Sequence, residues 1–125
     1  MENIFIGVVF GHFIGDFFLQ FKNMADNKYR PGLKGFFWCT VHVFVYTLTV
    51  AVFIDNFSLL FLLGVYLPHW IIDRWSLAFH WMKLIGRSDL INNTDPQKVA
   101  FGAIVYVVID QTIHCGCLYI LLTLI

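Results

Sequence analysis

Four long apolar stretches dominate the chain, at residues 4–21, 33–54, 57–84 and 99–125, and every one of them contains histidine or aspartate. Crossing about 30 Å of hydrocarbon takes roughly 20 residues of helix. Each stretch approaches or exceeds that length, so the expected fold is all-α. It is a single integral membrane domain over residues 1–125, built as a four-transmembrane-helix bundle. The third stretch is longer than one crossing needs, and its C-terminal part is expected to tilt or to run along the interface. Pro68 in that stretch lacks a backbone donor and would crowd the carbonyl of Gly64, which predicts a kink next to His69. Composition agrees with a membrane fold. Hydrophobic residues make up 59% of the chain and charged residues 13%, against about 25% charged in soluble domains. A net charge of zero and the lack of any nucleic-acid motif argue against a nucleic-acid partner and for the lipid bilayer as the surroundings.

The connections set the expected topology. Residues 22–32 form a polar link with Pro31-Gly32 as a breaker, and Asp55-Asn56 is a minimal turn that makes the second and third helices antiparallel neighbours. Asp95-Pro96 is expected to start the last helix, with proline in its first turn. Lys22, Lys28, Arg30 and Lys34 flank the first connection, and Lys83, Arg87 and Lys98 flank the last. By the positive-inside rule both of these loops face the cytoplasm, and the N- and C-termini lie outside. The start Met-Glu-Asn lacks the basic region of a signal peptide, so the first stretch is expected to be a retained membrane helix. Gly7, Gly11 and Gly15, spaced by four, form a stripe that lets a neighbouring helix approach closely. Cys39, Cys115 and Cys117 are read as small apolar packing residues rather than a disulfide framework.

The polar residues inside the apolar stretches are the candidate site. An ionised carboxylate at mid-bilayer costs about 2.5–3.5 kcal/mol, so three without partners would cost roughly 7–10 kcal/mol. His12 and Asp16, His69 and Asp73, and Asp110 and His114 are each four residues apart and share a helix face, while the second helix supplies His42. At about 1.5 Å of rise per residue, all four helices bring polar groups near one plane. Imidazole and carboxylate together are divalent-metal ligands, with zinc the leading candidate and iron, manganese or nickel equally compatible with the donor set. Seven candidate ligands, His12, Asp16, His42, His69, Asp73, Asp110 and His114, exceed the three or four of one zinc. Either two metals bind, or some aspartates orient histidine ligands from behind. Gln20 and Gln111 lie beside the ridges as groups for binding substrate or satisfying hydrogen bonds, and Asp16 is the candidate general base.

The string His12-Phe-Ile-Gly-Asp16-Phe17-Phe-Leu19-Gln20, with Met24-Ala25, Asn27-Lys28, His42, His69-x-x-x-Asp73 and Asp110-Gln111-x-x-His114 in that order, resembles domain-of-unknown-function family 3307. These are small bacterial and phage integral membrane proteins. The resemblance covers nearly the whole chain and implies a multi-pass protein of the bacterial inner membrane, with no established activity. The pattern is more distantly similar to membrane-bound metal-dependent hydrolases that carry His and Asp on their helices. Three functional readings follow. The first is a metal-dependent hydrolase acting on a lipid-like substrate that enters sideways from the bilayer. The second is a divalent-cation or proton transporter, which at this length would need to be a homo-oligomer. The third is a non-catalytic accessory protein that acts through a membrane-protein partner.

Overall fold

The structure is a computed structural model that describes residues 2–125; Met1 lies outside the described residues. Helix α1 (Glu2–Phe13) continues as a π-helical turn over Ile14–Phe18. There follow α2 (Lys22–Asn27), α3 (Gly32–Ile54), α4 (Leu59–Arg74), α5 (Leu77–Leu84), a 3₁₀ turn at Ser88–Leu90, and α6 (Pro96–Leu124). All elements among the described residues are helical, as expected. Two helices, α3 with 23 residues and α6 with 29, are long and apolar enough to cross a membrane; the apolar segment Asn3–Phe18 is shorter.

The ends of the helices follow local chemistry. Asp55 takes a left-handed φ of 54° and closes α3. Ser58 then caps α4 by accepting from the Phe61 N–H at 3.3 Å. Asp95 caps α6 by accepting from the Gln97 N–H at 3.0 Å, with Pro96 at the first helical position. A side-chain cap of this kind contributes about 1 kcal/mol. The third apolar stretch departs from the expected single helix. Helix α4 runs through Pro68 without ending there, and the break comes about two turns later, where Ser76 has a φ of 47° and interrupts the helical ladder. Helix α5 beyond the break is amphipathic: it buries Ala78 and Met82 and exposes Trp81 and Leu84. The helix is therefore interrupted at a left-handed serine, and Pro68 lies inside an unbroken helical segment. The link at residues 22–32, read as a polar loop, contains the short helix α2.

Helix α1 packs on α3, α3 on α4, and α4 on α6, while α5 lies against α6. The glycine stripe explains the first of these contacts. A Cβ at Gly7 would lie 2.7 Å from the Phe53 carbonyl oxygen, one at Gly11 3.2 Å from Val50 Cα, and one at Gly15 3.2 Å from Tyr46 Cα. As α1 ascends, its partner positions on α3 descend, so the two backbones run antiparallel in direct contact. One half of the bundle is a dry core of Tyr46, Val50, Ala51, Phe61, Val65 and Leu118. The surface is the more apolar part: Phe5, Phe18, Leu33, Leu59 and Leu124 are each at least 70% exposed, while His12, His42 and Asp73 are fully enclosed.

A branched side chain at Gly7 has to displace a backbone carbonyl. Gly7→Val is expected to lower stability by about 1–3 kcal/mol, the usual range for forced overpacking. Gly116 has open space around its Cβ position, so Gly116→Ala is expected to gain up to about 1 kcal/mol from helix propensity. Thermal unfolding in detergent, followed by helical circular dichroism, reads both; equal midpoints would contradict the packing described.

Candidate metal centre

Each of the helices α3, α4 and α6, and the π-helical turn after α1, directs at least one imidazole or carboxylate to a common point. His42 on α3 and His69 and Asp73 on α4 meet Asp16, which the π-helical turn presents. The π-helical turn shifts the register of α1 at that aspartate, a distortion that often marks a functional position. His42 Nε2 lies 3.2 Å from His69 Nε2, 3.2 Å from Asp16 Oδ1 and 3.1 Å from Asp73 Oδ2. His69 Nε2 lies 3.6 Å from Asp16 Oδ1 and 3.4 Å from Asp73 Oδ2. Zinc bonds of about 2.0–2.2 Å in a tetrahedron separate the ligand atoms by about 3.3–3.6 Å. The five separations are therefore close to the edges of a zinc-sized tetrahedron. One ligand atom from each of the four residues lies within 4.8 Å of the other three, and all four residues are buried.

His114 and Asp110 adjoin this group from α6. His114 Nδ1 donates to the Asp110 backbone carbonyl at 2.8 Å, which leaves the Nε2 lone pair free. That nitrogen lies 3.4 Å from Asp73 Oδ1. Asp16, Asp110 and His114 form a second set of ligand atoms within 4.8 Å of one another.

His12 enters neither set. Tyr46 donates to its Nδ1 at 2.8 Å, and its Nε2 donates to Gln111 Oε1 at 2.5 Å. The Gln111 amide then donates to Asp16 Oδ2 at 2.9 Å and to Asp110 Oδ2 at 3.2 Å. This directional chain from Tyr46 to Asp16 turns the other Asp16 oxygen towards His42 and His69, and it bridges the side of the bundle where α1 faces α6. His12 and Gln111 thus hold a candidate ligand from behind, as outer partners do in metal sites. His42 and His69 have no such partner, since their Nδ1 atoms are buried without hydrogen bonds. Ring packing holds His69 instead: its centroid is 3.8 Å from that of Tyr46 and 4.2 Å from that of His114. The cysteines join neither set, and His80 contacts the Ser76 carbonyl away from the centre.

Lys28 is the residue that sequence reasoning placed elsewhere. It was counted with the loop cations, yet it is 4% exposed, and its ammonium donates to Asp73 Oδ2 at 2.8 Å and lies 3.5 Å from His42 Nε2. The fold of α2 into the mouth of the bundle carries it there. Burial works against its charge, but Asp73 and Asp16 outweigh burial and hold the ammonium above its ordinary value. The Asn27-Lys28 pair within the family-like string was the available signal. Tyr46 was also missed, although it lies one turn from His42 and so shares its face.

A cavity of about 190 Å³ opens beside the centre, with Asp16, Gln20, Lys28, Tyr29, Asp110 and Gln111 in its wall. Gln20 Oε1 is buried there without a partner. Tyr29, Tyr106 and Val107 also line an apolar groove of about 520 Å³ with Phe79, Ile91, Val99 and Ala103. Cavity and groove thus share Tyr29, Tyr106 and Val107 as a common wall.

A family model described as "Protein of unknown function (DUF3307)" matches residues 4–125, and the chain belongs to that family. No curated protein and no solved structure matches it.

Removing the Lys28 ammonium leaves Asp73 without its buried cation. In chelator-treated protein, Lys28→Met is expected to cost about 3–5 kcal/mol, the range for breaking a buried ion pair. Adding Asp73→Asn to Lys28→Met should recover at least about 1 kcal/mol, since the two groups are in contact. A double-mutant cycle of unfolding midpoints in detergent checks this, and additive losses would rule out the pairing.

Proposed function

We propose that this member of the DUF3307 family is a multi-pass membrane protein whose helices enclose a divalent-metal centre, and that it hydrolyses a lipid-like substrate. The carrying observation is the convergence of His42, His69, Asp16 and Asp73, with five ligand-atom separations of 3.1–3.6 Å. With neutral histidines, three carboxylates face one lysine across the centre, which leaves two negative charges in a low-dielectric interior. A divalent ion cancels that excess. Zinc suits the donor set and the spacing.

The membrane part of the reading has its own support. Large side chains such as Phe18 and Leu33 are more than 80% exposed, while ten polar or charged residues are buried. Soluble domains show the opposite distribution, whereas lipid favours this one. Four crossings would be made by α1 with its π-helical turn, α3, α4 and α6. With Lys28 turned inward, Lys22, Arg30 and Lys34 still mark the first connection as cytoplasmic, as Lys83, Arg87 and Lys98 mark the last.

Access favours a hydrolase over a transporter. The cavity reaches the centre from the side of α2 and the middle of α6. Past the centre lies the dry core of Val50, Phe61, Val65 and Leu118. A conduction path needs polar access from both sides, whereas an enzyme needs it from one. The neighbouring apolar groove suits a substrate with an apolar tail, its head placed in the cavity beside Asp110, Gln20 and Lys28. A bound metal lowers the pKa of water towards 7 and polarises the scissile bond. The chain supplies the enclosure, the fixed ligands and the buried cation. Asp16, proposed from sequence as general base, has one oxygen in the ligand set, so its role becomes that of a ligand.

Purified protein in mixed micelles with a bacterial polar lipid extract is the test, with products followed by mass spectrometry. Zinc-loaded protein is expected to release a lipid fragment, chelation to abolish the release, and His69→Ala to slow it at least about 100-fold, the scale of losing a principal electrostatic catalyst. Protein that binds no metal, or turnover indifferent to chelation, would overturn the reading.

A further inference from the structure

The four-ligand set raises a chemical difficulty for an enzyme. An ion held by four protein ligands is coordinatively closed, while catalytic zinc keeps a position open for water or substrate. The atoms left over point to a way out. Asp73 uses Oδ2 towards His42, His69 and Lys28, and turns Oδ1 towards His114 Nε2 at 3.4 Å. Both of those atoms are buried without a hydrogen-bond partner, as is Asp16 Oδ1. With the His114 proton on Nδ1, where it meets the Asp110 carbonyl, the facing Asp73 oxygen and His114 nitrogen are both acceptors. In that tautomer a cation between the two acceptors would satisfy both.

We propose a second divalent-metal site, made by His114, Asp110, the free oxygen of Asp73 and the Asp16 oxygen that also accepts from Gln111, so that the centre is dinuclear with Asp73 and Asp16 shared between the ions. The proposal rests on the metal reading above and deepens it. Three observations support it. Asp16 belongs to both sets of converging ligand atoms. Gln111 donates to Asp16 Oδ2 and Asp110 Oδ2 together, which gathers these carboxylates on the α6 side of the first set. Asp110 and Asp16 also line the polar cavity, so the second ion faces the route by which water and substrate arrive. Two of its ligands lie in the cavity wall, so the second ion is the one that incoming water can reach, and dinuclear hydrolytic sites hold their ions about 3.5–4 Å apart. The first ion then fixes the shared carboxylates, and the second is the one that exchanges water. Two divalent ions with Lys28 exceed the three carboxylates by two positive charges. The occupied centre therefore favours an anionic headgroup, such as a phosphate ester, over a neutral one.

Metal stoichiometry and spin coupling test the proposal without reference to turnover. Full-length protein in detergent, equilibrated with Zn²⁺ and desalted, is expected to retain two zinc ions per chain by plasma mass spectrometry. His114→Ala and the conservative Asp110→Asn should each retain one, with helical content unchanged. Loaded with Mn²⁺, the wild type should give the spectrum of an exchange-coupled pair by electron paramagnetic resonance, and His114→Ala that of an isolated ion. One ion per chain in the wild type, unaltered by either substitution, would overturn the second site and leave the first standing. No retained ion would overturn both.

Discussion

The structure depends on the enclosure of three carboxylates by apolar helices. Asp16, Asp73 and Asp110 are each at most 8% exposed, and every polar device in the bundle serves to make that tolerable. Lys28 is drawn down from the α1–α3 connection to Asp73. Gln111 spends its amide hydrogens on Asp16 and Asp110. Imidazoles from three of the four principal helices crowd the remaining oxygens. Isolated charges in such a medium would neutralise or drag in water, so this concentration of like charge is understandable only around positive charge. One lysine does not suffice. One divalent cation would cancel the remainder; the proposal of a second rests on the ligand atoms gathered on the α6 side and not on charge balance.

Close helix contact is the mechanical counterpart of this charge balance. Ligand atoms 3.1–3.6 Å apart demand helices held to a fraction of an ångström, and protein interiors achieve that by contact rather than by tethering. The glycine stripe brings the α1 backbone onto α3 at Phe53, Val50 and Tyr46, and the last of these contacts is one turn from His42. At Gly64 of α4 the space is taken instead by the Leu121 side chain of α6. Small residues therefore set the depth and spacing of the polar ridges, although none of them carries chemistry.

How far the sequence disclosed this depends on whether the signal was periodic. The i,i+4 pairs His12–Asp16, His69–Asp73 and Asp110–His114 were visible because helix geometry maps such spacing onto one face, and the structure brings all three to one centre. Within that centre periodicity could not rank them: only the fold shows that His12 is spent on Tyr46 and Gln111 while His42, outwardly alone, sits at the middle. Lys28 was hidden for a different reason. A lysine in a connection between apolar stretches is normally solvated, and apart from the family-like Asn27-Lys28 pair nothing in 22–32 distinguishes it from Lys22, which pairs with Asp26 at the surface. The break at Ser76 was equally opaque, because a left-handed serine has no strong sequence signature, whereas Pro68 had an obvious one and yet lies within a continuous helix.

The π-helical turn at Ile14–Phe18 links these strands of the argument. On a regular α-helix, the residue that shares a face with His12 at the closest approach to α3 would be governed by the glycine stripe alone. The extra residue in the turn lets α1 keep Gly15 against Tyr46 while Asp16 reaches between His42 and His69. A π-helical turn is less favourable than the α-helix it replaces, so its persistence at the one α1 residue common to both ligand sets implies a compensating interaction there. Asp16 Oδ1 is buried there with His42 and His69 as its polar neighbours. A cation between Asp16, His42 and His69 would supply that interaction, and the same ion would stabilise the distortion that positions its ligand. Backbone geometry and charge balance, which are independent features of the chain, thus converge on the same occupant.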